Sequence, residues 1–298
     1  MKISLIFRQY ACIVNALRRY GPMTLEELSR HWVVEEVSMG NPLSRTTFNR
    51  HRDAVLDMFG IIIDCDASNG YRYYIANPSA LQEDSLSRWM LTALTMGGVL
   101  QDSLTLSDRL QMENVPAGDE YLEPIIKAMK VGHRLQLTYR RFGKEATTTM
   151  VSPYTLKLFR QRWYLLADTG QHLLTYALDR VERIDWTDDT FVVPDDFSAE
   201  AYFADYYGIY TKDVPMETVV LRAYGEVADY LRTLPLHESQ VELPHTSDAS
   251  VDFQLRLRPT YDFVQALLTM SQDVEVVQPA SLRQTMKKWL RKASKYYR

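Results

Sequence analysis

Cysteine is nearly absent. With only Cys12 and Cys65 in 298 residues, neither a disulfide framework nor a thiolate metal site can be assembled, and both are expected to act as small buried apolar groups. Long apolar runs are also missing: no stretch approaches the ~20 residues needed to cross a bilayer. Arg8 and Gln9 interrupt any secretion-signal core near the N-terminus, so the protein is expected in the cytoplasm, with no membrane partner. The six histidines show no His-x3-His or Glu-paired spacing, and no Gly-x-Ser-x-Gly elbow occurs. Gly97-Gly98 reads as a helix break, because no strand precedes it and no Gly-Lys-Ser/Thr follows. Zinc hydrolysis, a nucleophile elbow and a phosphate loop are thus left without local support. The expectation is a protein that is not an enzyme and has no metal and no cofactor.

An overall excess of positive charge is missing too. The formal charge is −4, which argues against a general polycation yet allows DNA binding through a local basic surface. Chain length favours two or three domains, and the order of elements suggests where they divide.

Residues 1–80 read as three helices and a hairpin. Leu5, Ile6, Tyr10, Ile13, Val14 and Leu17 recur at helical spacing up to Gly21-Pro22. Thr24-Leu25-Glu26-Glu27 is a capping box opening a second helix. Ser44 caps a third, from Arg45 to Phe59, which Gly60 ends. On that helix Phe48, Val55 and Phe59 share one face. Thr46, Asn49 and Arg50 lie opposite, flanked by Arg45, Thr47 and His51. Arg can pair with guanine and Asn with adenine in a major groove, so Ser44, Arg45, Thr46, Thr47, Asn49 and Arg50 are candidate DNA contacts. Arg72 joins them from the hairpin that brackets Asn69-Gly70. The ordered set is a winged helix-turn-helix. It resembles the head of DeoR-like bacterial regulators, which commonly carry Arg-Asp-Leu where this chain has Arg50-His51-Arg52.

Residues 81–120, rich in Leu and Met with Leu86, Trp89, Leu94 and Leu104, are expected to form a helical linker. Tyr121 to Val131 is a further helix. Four strand-like runs follow, Arg134–Phe142, Thr147–Phe159, Arg162–Asp168 and Leu173–Asp185, separated by short turns. Such spacing favours a bent antiparallel sheet or small barrel. Thr138-Tyr139-Arg140, Val151-Ser152-Pro153-Tyr154, Arg162-Trp163-Tyr164-Leu165 and Tyr176-Ala177-Leu178-Asp179-Arg180-Val181 resemble, in order and spacing, the motifs of the WYL domain. That resemblance, over residues 121–190, implies a β-barrel of the Sm-like, SH3 type. It also implies a sensor of nucleic-acid fragments or nucleotide-like ligands.

The residues themselves fit that chemistry. Guanidinium groups bind phosphate bidentately, and aromatic faces accept bases by stacking at ~1–3 kcal/mol each. Alternation along the third run sends Arg162 and Tyr164 to one face and Trp163 and Leu165 to the core. Arg162 is the first candidate ligand contact, with Tyr139, Tyr176 and Arg180 as partners and Arg140, Tyr154, Lys157 and Tyr164 beside them. The competing reading of these cations is ordinary strand-edge charge.

Residues 191–215 are expected to form a connector. Residues 216–298 read as a strand-helix-strand-strand-helix-strand-helix domain of ferredoxin-like order, as the C-terminal extension of WYL proteins has. Its last helix carries Arg283, Lys287, Lys288, Arg291, Lys292, Lys295 and Arg298 without a carboxylate. Either it touches nucleic acid, or it packs through Leu282, Met286 and Leu290 with solvated cations opposite. The whole is an α+β chain expected to be a ligand-responsive transcriptional regulator. Its expected partners are a double-stranded DNA operator, a nucleic-acid or nucleotide-like ligand and a second copy in a homodimer. The alternative is an accessory protein that regulates a partner enzyme, with the head as a protein interface.

Overall fold

The computed structural model describes the chain apart from residues 1–2, 36, 38–39, 83–84, 103–108, 112, 114, 245–249 and 298, with backbone alone at 3–4 and 98–102. Leu104 and Arg298 therefore lie outside the described residues. The chain divides into two compact units, Met1–Glu113 and Asn114–Arg298. No helix among the described residues is long and apolar enough to cross a membrane.

In the first unit α1 (Ile3–Tyr20), α2 (Leu25–Val34) and α3 (Arg45–Phe59) precede a hairpin of β1 (Ile63–Asp66) and β2 (Arg72–Ile75). The local signals act as their chemistry requires. The Thr24 hydroxyl accepts from the Glu27 N–H while the Glu27 carboxylate accepts from the Thr24 N–H. Ser44 caps α3, and Gly60 ends it in the left-handed conformation at φ 63°. Met23 bridges Tyr73 through two backbone hydrogen bonds of 3.0 and 2.7 Å, fixing the hairpin to the start of α2.

Part of the segment expected as a helical linker packs on this unit's core. α4 (Leu86–Asp102) runs through Gly97-Gly98 without a break, and Leu91 is buried with Met90 and Leu94 packed beside it. Burial of one stripe against α1 offsets the weak helix propensity of the glycine pair. Neither cysteine is fully buried. Cys12 is half-buried in α1, its thiol pushed up to about 12 by desolvation, and Cys65 is half-buried in β1.

In the second unit α5 (Leu122–Val131) leads into β3 (His133–Arg140), β4 (Ala146–Phe159), β5 (Arg162–Asp168), β6 (Leu173–Ala177) and β7 (Val181–Thr190). They form an antiparallel sheet of order β6-β5-β4-β3-β7. The expected closed barrel is not present. The last sequence run breaks at a 3-10 turn, Leu178–Arg180, after which the chain pairs with β3 at Tyr139↔Val181. The ladder on β5 ends at Tyr164↔Ala177, and β6 and β7 remain separate edges of the sheet. Leu165 is fully buried and Trp163 half-buried against the same core, but Leu166 and Ala167 are buried as well, so the expected alternation ends at Leu165.

After α6 (Ala199–Phe203) come β8 (Glu217–Tyr224), α7 (Val227–Thr233), β9 (Val241–Glu242), β10 (Ser250–Leu257), α8 (Tyr261–Thr269), β11 (Val274–Gln278) and α9 (Ala280–Ser294). The sheet order is β11-β8-β10-β9. Val251, Phe253, Leu255 and Leu257 alternate into the core. α9 buries Leu282 and Met286, with Trp289 packed beside them, whereas Leu290 is 41% exposed.

One residue of α3 departs from its expected place. His51 flanks the polar face on a helical wheel, yet it is 2% exposed, 5.2 Å from the Tyr10 ring and 5.6 Å from Trp32. Neither ring nitrogen has a hydrogen-bond partner among the described residues. Desolvation, reinforced by Arg50, lowers its pKa from 6.5 to about 4. Between pH 4 and 6.5 the folded unit thus holds a neutral imidazole where the unfolded chain is protonated. This contribution to stability is whole above pH 6.5 and falls as the pH drops toward 4, by up to about 3 kcal/mol. Hydrogen exchange at the α3 amides should report that loss, and His51→Phe should flatten it. An unchanged pH profile in the variant would contradict this role for His51.

Candidate functional site

The 3-10 turn that interrupts the sheet also assembles the candidate cavity. Asp179 and Arg180 leave this turn side by side. The Asp179 side chain is 9% exposed, and its Oδ2 accepts from Arg162 at 3.3 Å. Its Oδ1 is buried with no partner among the described residues. Arg180 has no carboxylate partner there: its guanidinium lies 5.3 Å from the Tyr139 ring centre and 4.6 Å from that of Phe142. Tyr139 is buried edge-on to Tyr176 at 5.1 Å, and its hydroxyl accepts weakly from the Ala177 N–H at 3.4 Å. Burial raises the phenol pKa of Tyr139, Tyr164 and Tyr176 above the usual range, so all three stay neutral donors.

Arg180 stands between two adjoining hollows. One, of about 280 Å³, is walled by Tyr164, Thr175, Arg180, Tyr210 and Lys212. The other, of about 260 Å³, is walled by Arg140, Arg141, Phe142, Asp179 and Arg180. An unpaired guanidinium with aromatic neighbours suits a phosphate beside a planar ring. The orphaned Asp179 oxygen suits an N–H or O–H donor on the same ligand, since a buried acceptor without a partner is costly.

Of the residues singled out from the sequence, Tyr139, Tyr164, Tyr176, Arg162 and Arg180 are brought together here. Arg162 reaches the site through Asp179 rather than directly. Arg140 lines the second hollow while its Nε donates to Glu182. Tyr154 and Lys157 point elsewhere. Tyr154 packs on Phe191 and Phe197, and Lys157 donates to the Gly208 carbonyl at 3.0 Å with its ammonium 4.1 Å from the Phe203 ring centre. Burial pushes the Lys157 pKa down. Asp179, Tyr210, Lys212 and Gly118 were not singled out for this site. Tyr210 and Lys212 fall in the segment read as a connector, and nothing local in the sequence marks Gly118.

On the first unit, Arg45, Thr46 and Arg50 are exposed, and Thr47 and Asn49 are half-buried. The Ser44 hydroxyl is occupied by its capping bond to the Thr47 N–H and a second to the Thr47 hydroxyl. Arg72 is engaged at home, donating to Glu27 and to the Pro22 carbonyl at 3.0 Å each. No group of three or more His, Cys, Asp or Glu residues that could hold a metal occurs among the described residues.

Residues 120–185 match the family model of the WYL domain, and residues 215–294 match that of the WCX domain. The chain therefore carries both domains, in that order. Among solved structures it is similar to proteasome accessory factor B/C (PafBC) of Arthrobacter aurescens, with 18% identity over 95% of this chain and 46% of that one at a TM-score of 0.36. A second similarity, 9% identity over 99% of this chain and 84% of the other at a TM-score of 0.39, is to a CRISPR Cas-related protein. The chain thus spans less than half the length of the PafBC chain. No curated protein matches it.

Gly118 sets the turn. It sits at φ 74°, and a Cβ there would collide with the backbone of Leu178 and Asp179. Gly118→Ala should destabilise the second unit by roughly 2 kcal/mol, from left-handed strain and the clash together. A urea titration that left the unfolding midpoint unchanged would show that the turn yields freely.

Proposed function

We propose that this protein is a nucleic-acid-binding transcriptional regulator, acting in the cytoplasm as a homodimer. Its first unit, read as a winged helix-turn-helix, binds operator DNA. Its WYL domain senses a nucleic-acid or nucleotide-like ligand. The four-stranded C-terminal sheet, with its 4-1-3-2 order, reads as a ferredoxin-like relay or dimer element. The reading takes the chain to be a binding protein and not an enzyme. The observation that carries it is the outer face of α3. There Arg50 stands with Thr46 and Asn49 opposite the buried Phe48, Val55 and Phe59, flanked by Arg45, and neither arginine has a carboxylate partner among the described residues. Arg and Asn on one helix face match guanine and adenine edges in a major groove.

Support for the sensing half comes from the WYL match and from Arg180, an uncompensated cation between aromatic rings beside an orphaned acceptor. A ligand there acts on DNA binding only by favouring one arrangement of the protein over another. The resemblance to WYL sensors implies that the ligand carries phosphate and base, and the cavity offers a partner for each.

Gel shifts against the DNA flanking the protein's own gene test the first half. Salt-sensitive binding to a palindrome is expected, with Arg45→Ala and Arg50→Ala each weakening it roughly tenfold or more. If both variants bind like wild type, the α3 assignment is wrong and the head is better read as a protein interface. For the second half, Arg180→Ala should weaken binding of a 5′-phosphorylated dinucleotide by about tenfold. Equal calorimetric affinities for wild type and variant would remove Arg180 from the site.

A further inference from the structure

We propose that the outward face of α9, together with the aromatic rings leading to it, is a second nucleic-acid surface that takes a single-stranded phosphodiester chain. It rests on the preceding reading only in taking one end of that strand to lie at the cavity.

Residues 280–298 hold seven Lys and Arg and no acid, so without them the chain's formal charge of −4 would be −11. Along α9 and its C-cap the spacing Lys288, Arg291, Lys292 and Lys295 places four cations on one face, away from buried Leu282 and Met286. All four are exposed, and none has a carboxylate partner among the described residues. Arg283, one turn earlier, differs in donating to Glu275 at 2.6 Å. Like charges three and four residues apart destabilise a helix. A row of them without acidic partners is complementary to a polyanion.

Aromatic rings lead from the cavity to α9, ending at Trp289, which packs beside the core one turn before Lys292. Tyr210 lines the hollow that holds Arg180 and Tyr164. Its ring centre is 5.3 Å from that of Tyr261 at the start of α8, which is 5.3 Å from Trp289 of α9. Tyr210 and Tyr261 are 40% and 45% exposed, so each keeps surface in reach of a partner beside its ring contacts. Cations that track a backbone, interleaved with rings that accept bases, are the arrangement that holds single strands without sequence preference. A duplex keeps its bases stacked and would leave the rings unused. A lipid surface would need an apolar helix face to insert, and the Leu282–Met286 stripe is already buried in the domain's own core.

The test is fluorescence anisotropy on the full chain with a labelled oligonucleotide of about 16 nucleotides. Wild type is compared with the fourfold variant Lys288→Gln, Arg291→Gln, Lys292→Gln and Lys295→Gln, whose fold is checked by circular dichroism. The variant should bind the oligonucleotide about tenfold more weakly, and its log–log salt slope should fall by about 3, from four lost phosphate contacts. Dinucleotide affinity should stay unchanged. An unaltered affinity and slope for the oligonucleotide overturns the proposal. So does an equal loss on a duplex of the same length, or α9-dependent binding to phosphatidylserine vesicles without oligonucleotide binding. If wild type fails to bind the dinucleotide while the oligonucleotide loss is seen, the cavity reading fails and the α9 surface stands.

Discussion

A carboxylate taken out of water must have its charge met by donors, or burial costs several kcal/mol. Asp262, 6% exposed at the start of α8, satisfies this with one oxygen toward its own domain and the other toward the chain entering it. Oδ1 accepts from the Thr260 hydroxyl at 2.7 Å and the Phe263 N–H at 3.0 Å. Oδ2 accepts from the N–H groups of Ile209 and Tyr210 at 2.8 and 3.2 Å. A side chain at Gly208 would strike both this carboxylate and the Phe159 ring, so the approach requires glycine. Lys157 from β4 closes the arrangement by donating to the Gly208 carbonyl. One buried charge therefore fastens the WYL sheet, the segment after it and the C-terminal domain to one another.

That segment is also a wall of the cavity. Ile209, Tyr210, Thr211 and Lys212 line the hollow opposite Tyr164 and Arg180. A ligand that pressed on Tyr210 would press on the backbone bonds that Asp262 holds and on the ring contact with Tyr261. Packed elements of this kind shift between discrete arrangements rather than deform continuously. The second unit thus contains a continuous path of hydrogen bonds and ring contacts from the wall of the hollow to the C-terminal domain.

Features encoded within a few residues were legible in the sequence. The Thr24–Glu27 box, the Ser44 cap, the Gly60 stop and the first three strand runs of the WYL sheet each depend on neighbours in the chain, and each is found within a few residues of where expected. Features that depend on distant partners were not. Closure of the sheet turned on the 3-10 turn held under Gly118. The surface place expected for His51 turned on Tyr10 and Trp32, contributed by two other helices. The candidate cations divide in the same way. Arg72, Arg140 and Arg162 are engaged by Glu27, Glu182 and Asp179, acids 45, 42 and 17 residues away, while Arg180 is not. Composition locates basic residues, but only the fold tells which of them remain uncompensated.

Coupling between the two proposed nucleic-acid interactions is what would distinguish a ligand-responsive regulator from a protein that merely carries two binding surfaces. Linkage requires that a ligand which changes operator affinity by some factor has its own affinity changed by the same factor when operator is bound. The most direct measurement is a pair of titrations on the full chain: operator duplex with and without saturating single-stranded oligonucleotide, and oligonucleotide with and without operator. The expected result is a matched change of about fivefold or more in both, in the same direction. Tight binding of both partners with neither affinity altered by the other would contradict a sensing role for the WYL domain.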